Sequence, residues 1–147
     1  MSAVRPGDLA ALLGVRLKKP REFTSLDLAE AVAHGLSVKA VDGLCVRIAP
    51  GDATFRYRIV PKATLMRRQR SAERRLTSGE SDRLARLARI WAFAAEVWGS
   101  DAAAQRFLAE PHPLLRGRAP RDVAAETEIG ARTVEELLGR LRFGSAA

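Results

Sequence analysis

Cysteine, histidine and aromatic residues are scarce in this 147-residue chain, and several classes of function are excluded on that ground. The one cysteine, Cys45, excludes an internal disulfide framework and suits a reducing cytoplasm. We interpret His34 as a surface or C-capping residue and His112 as a loop hydrogen-bonder, and so predict no metal site. No glycine-rich phosphate loop follows a strand, and the acids are scattered. We therefore predict that the chain is not an enzyme and binds no cofactor.

Long apolar runs are also missing. No uninterrupted run approaches the roughly 18 residues that span a bilayer, and the N-terminus lacks the pattern of a signal peptide. With 47% hydrophobic residues the chain can still bury a core. Strand-forming patches such as residues 44–48 are short, while Ala, Leu, Arg and Glu dominate the periodic stretches. These features predict an all-α protein of the cytoplasm.

The whole excess of positive over negative charge lies in the N-terminal half. Residues 1–75 hold 15 Lys and Arg against 7 Asp and Glu, a net charge of +8, whereas residues 76–147 hold 10 of each and are neutral. A one-sided distribution of this kind indicates a polyanion partner for the basic half and a different task for the other. A solvated basic surface is the plainer interpretation, and charge alone does not separate the two.

The clearest predicted element is a long helix from Leu76 to Gly99. Thr77 and Glu80 form a capping box at its start, and Gly99 provides the stop. Two neighbouring apolar rows cover more of this helix than one buried stripe requires, so it needs cover from its own domain or from a second chain. We predict this packing role, with both tryptophans in the core, for Ile90, Trp91, Phe93, Val97 and Trp98.

A helix-turn-helix is predicted just before the long helix. Asp52 is placed to cap a short helix that ends at Arg58, residues 59–61 form a turn, and Lys62 to Arg75 resumes a helical pattern with six cations and one anion. Arginine suits DNA because its fork binds phosphate or guanine bidentately. A solvated basic helix has the same pattern. The predicted DNA-binding residues are Lys62, Thr64, Arg67, Arg68, Ser71, Arg74 and Arg75.

Shorter helices are predicted on either side of these two elements. Residues 1–23 form a flexible basic segment, although residues 8–13 can make a helical turn or two. Ser25 is predicted to cap a helix that ends at Gly35, and Ser37 to cap another over residues 38–44. Three helices follow the long one: Ser100 is predicted to cap the first, Pro120 is the first residue of the second, and Thr127 caps the third.

The segment from Arg75 to Gly144 resembles the toxin-binding domain of Xre/MbcA/ParS-type antitoxins. The matching pieces, in the family order, are LTSGESDRLARLAR, AAEVWG followed by Asp101, RFLAEPHPLLRG, RAPRDVAAETEIGA and VEELLGRLRFG. Directly upstream, ATLMRRQRSAERRL resembles the end of the Xre-type helix-turn-helix. The chain departs from the family pattern at Phe107, His112 and Ala119, and residues 45–59 match poorly, which leaves the positioning helix open.

The resemblance implies an antitoxin encoded beside a RES-type toxin, an enzyme that depletes NAD⁺. The C-terminal domain, residues 77–147, would block the toxin's active site, and the helix-turn-helix domain, residues 24–76, would repress the operon. NAD⁺ would belong to the toxin, and the partners would be the cognate toxin, operator DNA and a second copy of the chain, with no membrane. The implied toxin-binding residues are Arg132, Glu135, Glu136, Arg140, Arg142, Phe143 and Gly144.

Two other functions remain open at this stage. One is a helix-turn-helix transcriptional regulator whose C-terminal half serves only dimerisation. The other is an interaction domain that has lost DNA binding, which the poorly matched residues 45–59 suggest.

Overall fold

The computed structural model describes residues 4–19 and 22–144. Within these ranges the chain forms nine α-helices and no strand, which confirms the predicted all-α class. Residues 20 and 21 of the basic N-terminal segment and residues 145–147 of the C-terminal tail lie outside the described ranges. The helices are α1 (Pro6–Leu12), α2 (Ser25–His34), α3 (Lys39–Ile48), α4 (Arg56–Ile59), α5 (Lys62–Arg70), α6 (Ser78–Trp98), α7 (Asp101–Ala109), α8 (Pro120–Glu126) and α9 (Glu128–Arg142).

Helix α6 lies at the centre of the molecule and packs against α1, α2, α3, α4, α7, α8 and α9. Its capping box is confirmed: the Thr77 side chain accepts from the Glu80 amide, and the Glu80 carboxylate accepts from the Thr77 amide. Gly99 ends the helix in the left-handed conformation, with φ of 74°. The second apolar row is covered within this chain, since Ile90 and Phe93 are buried and Val97 is partly buried, and Trp91 of the first row is buried as well. The surplus apolar surface of α6 therefore provides no argument for a dimer.

Trp98 does not lie in the core, so this part of the prediction is wrong. The residue is 41% exposed and packs on one side against Phe107, with ring centroids 5.5 Å apart. Trp98 is the last residue of α6, and at Gly99 the chain turns away into α7. Periodicity shows on which face of a helix a residue lies. It does not show whether that part of the face is covered by other helices, and at the end of α6 the cover is incomplete.

The N-terminal segment, predicted to be flexible, contains the helix α1. Helix α1 packs against α2, α3 and α6, with Ala10 and Leu13 buried. The cap of α2 is Thr24 and not Ser25, because the Thr24 hydroxyl accepts from the Asp27 amide at 3.2 Å. Helix α3 runs four residues past its predicted end at residue 44, as far as Ile48, and buries five residues of its inner face.

One hydrophobic core joins residues on both sides of the predicted domain boundary. Helix α3 contacts α7, and α4 contacts α8. Gln105 donates from α7 to the carbonyl of Arg47 at 3.0 Å, and the buried Ser81 hydroxyl of α6 accepts from the Leu36 amide at 2.8 Å. The N- and C-terminal parts thus pack as one body, and a boundary between residues 76 and 77 stays a prediction.

Helix α8 is fastened to both α6 and α9. The buried Arg86 guanidinium of α6 donates to the carbonyls of Ala124 (3.0 Å) and Ala125 (2.9 Å), where the C-terminal end of α8 favours a cation. Burial lowers the pKa of Arg86. Gly130 of α9 passes so close to Val123 that an added Cβ would lie 2.3 Å from the Val123 carbonyl oxygen. These contacts position the last two helices against α6.

Candidate functional site

The predicted helix-turn-helix consists of α4, the residues Val60 and Pro61, and α5. Helix α4 is a single turn and begins three residues later than predicted, because Asp52 does not cap it. Instead the Asp52 carboxylate accepts from the Thr54 amide and hydroxyl at 3.1 and 2.9 Å, which forms a separate turn ahead of the helix. These hydrogen bonds also lower the pKa of Asp52, the side-chain bond with Thr54 contributing most. A one-turn helix therefore precedes the basic helix.

Helix α5 ends at Arg70, five residues short of the predicted end. Ser71 is extended, and the following backbone pairs with the turn between α2 and α3: Val38 donates to the carbonyl of Arg74, and Leu76 donates to that of Leu36. Arg70 and Arg74 would also repel each other at i, i+4 in a continued helix. Pairing with a distant turn thus replaces the last turns of the helix, and the prediction that Ser71, Arg74 and Arg75 share the face of α5 is wrong.

The remaining predicted DNA-binding residues divide into exposed and bound side chains. Lys62 and Arg67 are exposed and Thr64 is half-buried. Arg68 is held in an ion pair with Glu80 at 3.3 Å. Burial alone would raise the pKa of Glu80, but hydrogen bonds from Thr77 and Arg68 outweigh it and lower that pKa.

The structure changes the assignment of two further arginines, Arg75 and Arg70. Arg75 donates to the carbonyl of Gly35 at 2.9 Å, so its guanidinium braces the α2–α3 turn. Arg70, absent from the predicted list, is exposed in the last turn of α5, and its spacing of three from Arg67 was the signal that could have identified it. The exposed cations of this helix, called the α5 face below, are Lys62, Arg67 and Arg70.

Helix α9 is held on α6 by ion pairs along its inner side. Arg89 contacts Glu128 at 2.7 Å and Glu135 at 2.9 Å, and near the other end Arg142 contacts Glu96 at 2.8 Å. Glu135 and Arg142, two of the implied toxin contacts, therefore take part in fixing α9 to its own domain. Since both ends of the helix are fastened, its outer side has a defined orientation.

The outer side of α9 forms one exposed stripe with apolar ends and a charged middle. Its residues recur at spacings of three, one, three, four and three, which places them on one face of the helix. Ile129 is 78% exposed and Phe143 is 71% exposed, whereas Val134 and Leu137 on the inner side are buried. This stripe, called the α9 face below, comprises Ile129, Arg132, Thr133, Glu136, Arg140 and Phe143.

Two residues of the α9 face were missed by the sequence analysis. The family resemblance directed attention to the C-terminal tail, whereas Ile129 and Thr133 lie in the first half of the helix. The helical spacing of Ile129 from Arg132 and Glu136 was the signal that could have found it. Gly144 follows the stripe at φ of 67° and ends the helix.

The one cysteine of the chain, Cys45, is buried. Burial raises the pKa of the Cys45 thiol to about 11, so the thiol stays protonated at neutral pH and is a poor nucleophile. Residues 4–19 and 22–144 contain no group of three His, Cys, Asp or Glu side chains that could hold a metal ion. In the same ranges no helix is long and apolar enough to cross a membrane.

Comparisons with known proteins match two consecutive parts of the chain, one that contains α5 and one that contains the α9 face. Residues 27–89, which contain α4 and α5, match the model of the antitoxin Xre-like helix-turn-helix domain. Residues 93–144, which contain the α9 face, match the model of the antitoxin Xre/MbcA/ParS C-terminal toxin-binding domain. The two matched ranges meet inside α6.

Two relatives extend the match over most of the chain. An Antitoxin Xre of Yersinia enterocolitica is 34% identical over 119 residues, which cover 80% of this chain and 79% of the relative. An Antitoxin Xre of Pseudomonas putida is 37% identical over 89 residues, which cover 60% of this chain and 55% of that relative. The chain belongs to the Xre antitoxin family and has both the helix-turn-helix domain and the toxin-binding domain of that family.

Proposed function

We propose that this chain is the antitoxin of a type II toxin-antitoxin system, that it blocks a RES-type NAD⁺-depleting toxin with the α9 face, and that it represses its own operon through α5. The observation that carries the proposal is the α9 face itself. Ion pairs fix the inner side of the helix while Ile129 and Phe143 stay more than two-thirds exposed. An apolar side chain so exposed on a rigid helix suits a partner that buries it.

The shape of this region suits an active site as the target. Phe143 lies at the exposed end of α9, and Arg140 lies one turn before it on the same face. A helix end can enter a concave pocket without disturbing its own core, because the buried residues of α9 end at Leu138. The RES type rests on the resemblance of residues 75–144 to antitoxins of that system, and NAD⁺ is the toxin's substrate.

Operator binding is assigned to the α5 face. Lys62, Arg67 and Arg70 project from one short helix that follows a turn, which is the arrangement that places a recognition helix in the major groove. Half-site recognition favours two-fold symmetry, so we propose that the chain binds its operator as a homodimer, alone or with toxin.

Replacing both Arg67 and Arg70 by alanine is expected to weaken operator binding by about 10- to 100-fold and to reduce the slope of log K against log salt by about two, because each arginine neutralises one phosphate. The measurement is titration of the promoter DNA of the chain's own gene at four salt concentrations. Arg106→Ala is the matched control, since Arg106 is an exposed arginine on α7, and it should leave affinity and slope unchanged. Equal loss in the control would overturn the assignment of α5.

A further inference from the structure

Helix α4 cannot hold its own position in the helix-turn-helix. It has four residues, Arg56–Ile59, and no side-chain hydrogen bond caps its first turn. A helix this short is unstable in isolation, since the cost of nucleation is recovered only over several turns. The orientation of α5, two residues further on, therefore depends on whatever fastens α4 and the turn before it.

Arg121, a residue of the toxin-binding domain, holds the segment that precedes α4. Its guanidinium contacts the Asp52 carboxylate at 3.2 Å and the Ile48 carbonyl at 3.5 Å, and it lies over the Phe55 ring at 5.3 Å from the centroid. The side chain is 15% exposed, and Phe55 is buried. Arg121 thus joins the C-terminal end of α3 to the segment that leads into α4.

The neighbouring contacts hold the other end of α4. Asp122, next to Arg121 in the first turn of α8, contacts Arg58 at 3.3 Å. Arg83 of α6 donates to the carbonyl of Ile59 at 2.6 Å, which satisfies an orphan acceptor at the end of the helix. Because Arg86 also fixes α8 to α6, α8 offers α4 a rigid support.

We propose that Arg121 is a positioning residue for operator binding: the toxin-binding domain supplies, through α8, the support that orients the helix-turn-helix. This inference rests on the proposed operator binding by α5. Arg121 does not itself touch DNA, because its guanidinium is enclosed by Asp52, Ile48 and Phe55. Its loss changes the geometry of α4 and α5 without removing a phosphate contact.

The test compares Arg121→Gln with Arg118→Gln in the full-length chain. Arg118 is the matched control because it is also an arginine beside α8, paired at the surface with Glu126. Arg121→Gln is expected to weaken binding to the promoter DNA of the chain's own gene by about 10-fold with an unchanged salt slope, since no phosphate contact is lost. Arg118→Gln should keep the affinity of the unmutated chain.

A double-mutant cycle with Asp52→Asn separates positioning from general destabilisation. Asparagine still accepts from Thr54 but no longer pairs with Arg121, so adding Arg121→Gln to Asp52→Asn should cost less than about three-fold. An independent loss of about 10-fold in that background, or a salt slope reduced by about one, would overturn the positioning role.

Hydrogen exchange provides a readout that needs no DNA. In Arg121→Gln the amides of residues 55–60 should exchange at least about 10-fold faster, while those of α9 stay protected. Unchanged exchange in residues 55–60 would refute the inference even if the operator is bound. If the unmutated chain binds no promoter DNA, the proposed operator function fails, and with it the role assigned to Arg121 in it.

Discussion

Replacing Ile129 and Phe143 together by alanine is expected to weaken inhibition of the toxin by about 100-fold or more. The two side chains are the apolar ends of the α9 face and are 78% and 71% exposed, so folding depends little on them. In a complex they would be buried, and a side chain that fills a desolvated pocket of its partner contributes about 2 kcal/mol or more, which corresponds to about 10- to 100-fold in affinity. The measurement is the concentration of chain that halves toxin activity.

Two exposed apolar residues elsewhere provide a matched control for this variant. Leu26 on α2 is 68% exposed and Val46 on α3 is 65% exposed, and both lie outside the matched toxin-binding range. Leu26→Ala with Val46→Ala removes a similar exposed area and should leave inhibition unchanged. Normal inhibition by the α9 variant, or equal loss in the control, would show that inhibition of the toxin does not depend on the α9 face.

Gly130→Ala is expected to destabilise the folded chain by about 2 kcal/mol or more, the range of overpacking in a tight interior. The added Cβ would lie 2.3 Å from the Val123 carbonyl oxygen and 3.1 Å from the Thr127 hydroxyl that caps α9. Since the nearest obstacle is backbone, α8 and α9 must separate to admit it. The free energy of unfolding, measured by urea denaturation, reports the cost.

Gly139→Ala in the same helix should have the opposite sign. Apart from the neighbouring backbone of α9 itself, no atom lies within 4 Å of a Cβ built there, so the substitution adds only helix propensity, about 0.5–1 kcal/mol of stabilisation. The pair therefore isolates the close approach of α8 and α9 from the general effect of alanine. A stabilising Gly130→Ala would show that the two helices do not approach as closely as described.

The sequence predicted best those features that are set by neighbours along the chain. The start of α6 follows from Thr77 and Glu80 and its end from Gly99, and each of these caps acts on backbone groups only a few residues away. The caps Ser100 and Thr127 were found for the same reason. A cap is a local hydrogen bond, and so local sequence suffices to find it.

Features that depend on distant contacts were not predictable in this way. Helix α5 stops at Arg70 because its following backbone pairs with residues 36–38, about forty positions earlier in the chain. Arg121 became part of the helix-turn-helix only through its contact with Asp52, 69 residues away. In both cases the neighbouring sequence does not indicate which distant residue will be contacted.

The candidate site likewise has features that local sequence predicts and features that depend on distant contacts. The helix that bears the α9 face was predicted from its apolar stripe, but the ion pairs of Glu135 and Arg142 with α6 were not, since charge and spacing identify an exposed face without naming the partner. The structure separates side chains that fix α9 from those that it presents outward. Of the implied toxin contacts, Arg132, Glu136, Arg140 and Phe143 remain on the outward face.

The proposed function is tested most directly by adding increasing amounts of the purified chain to the toxin that the proposal places beside its gene, and measuring NAD⁺ consumption. Consumption should stop near equimolar chain and should resume when the chain is truncated before Arg140. NAD⁺ consumption that continues undiminished in an excess of the full-length chain would contradict it.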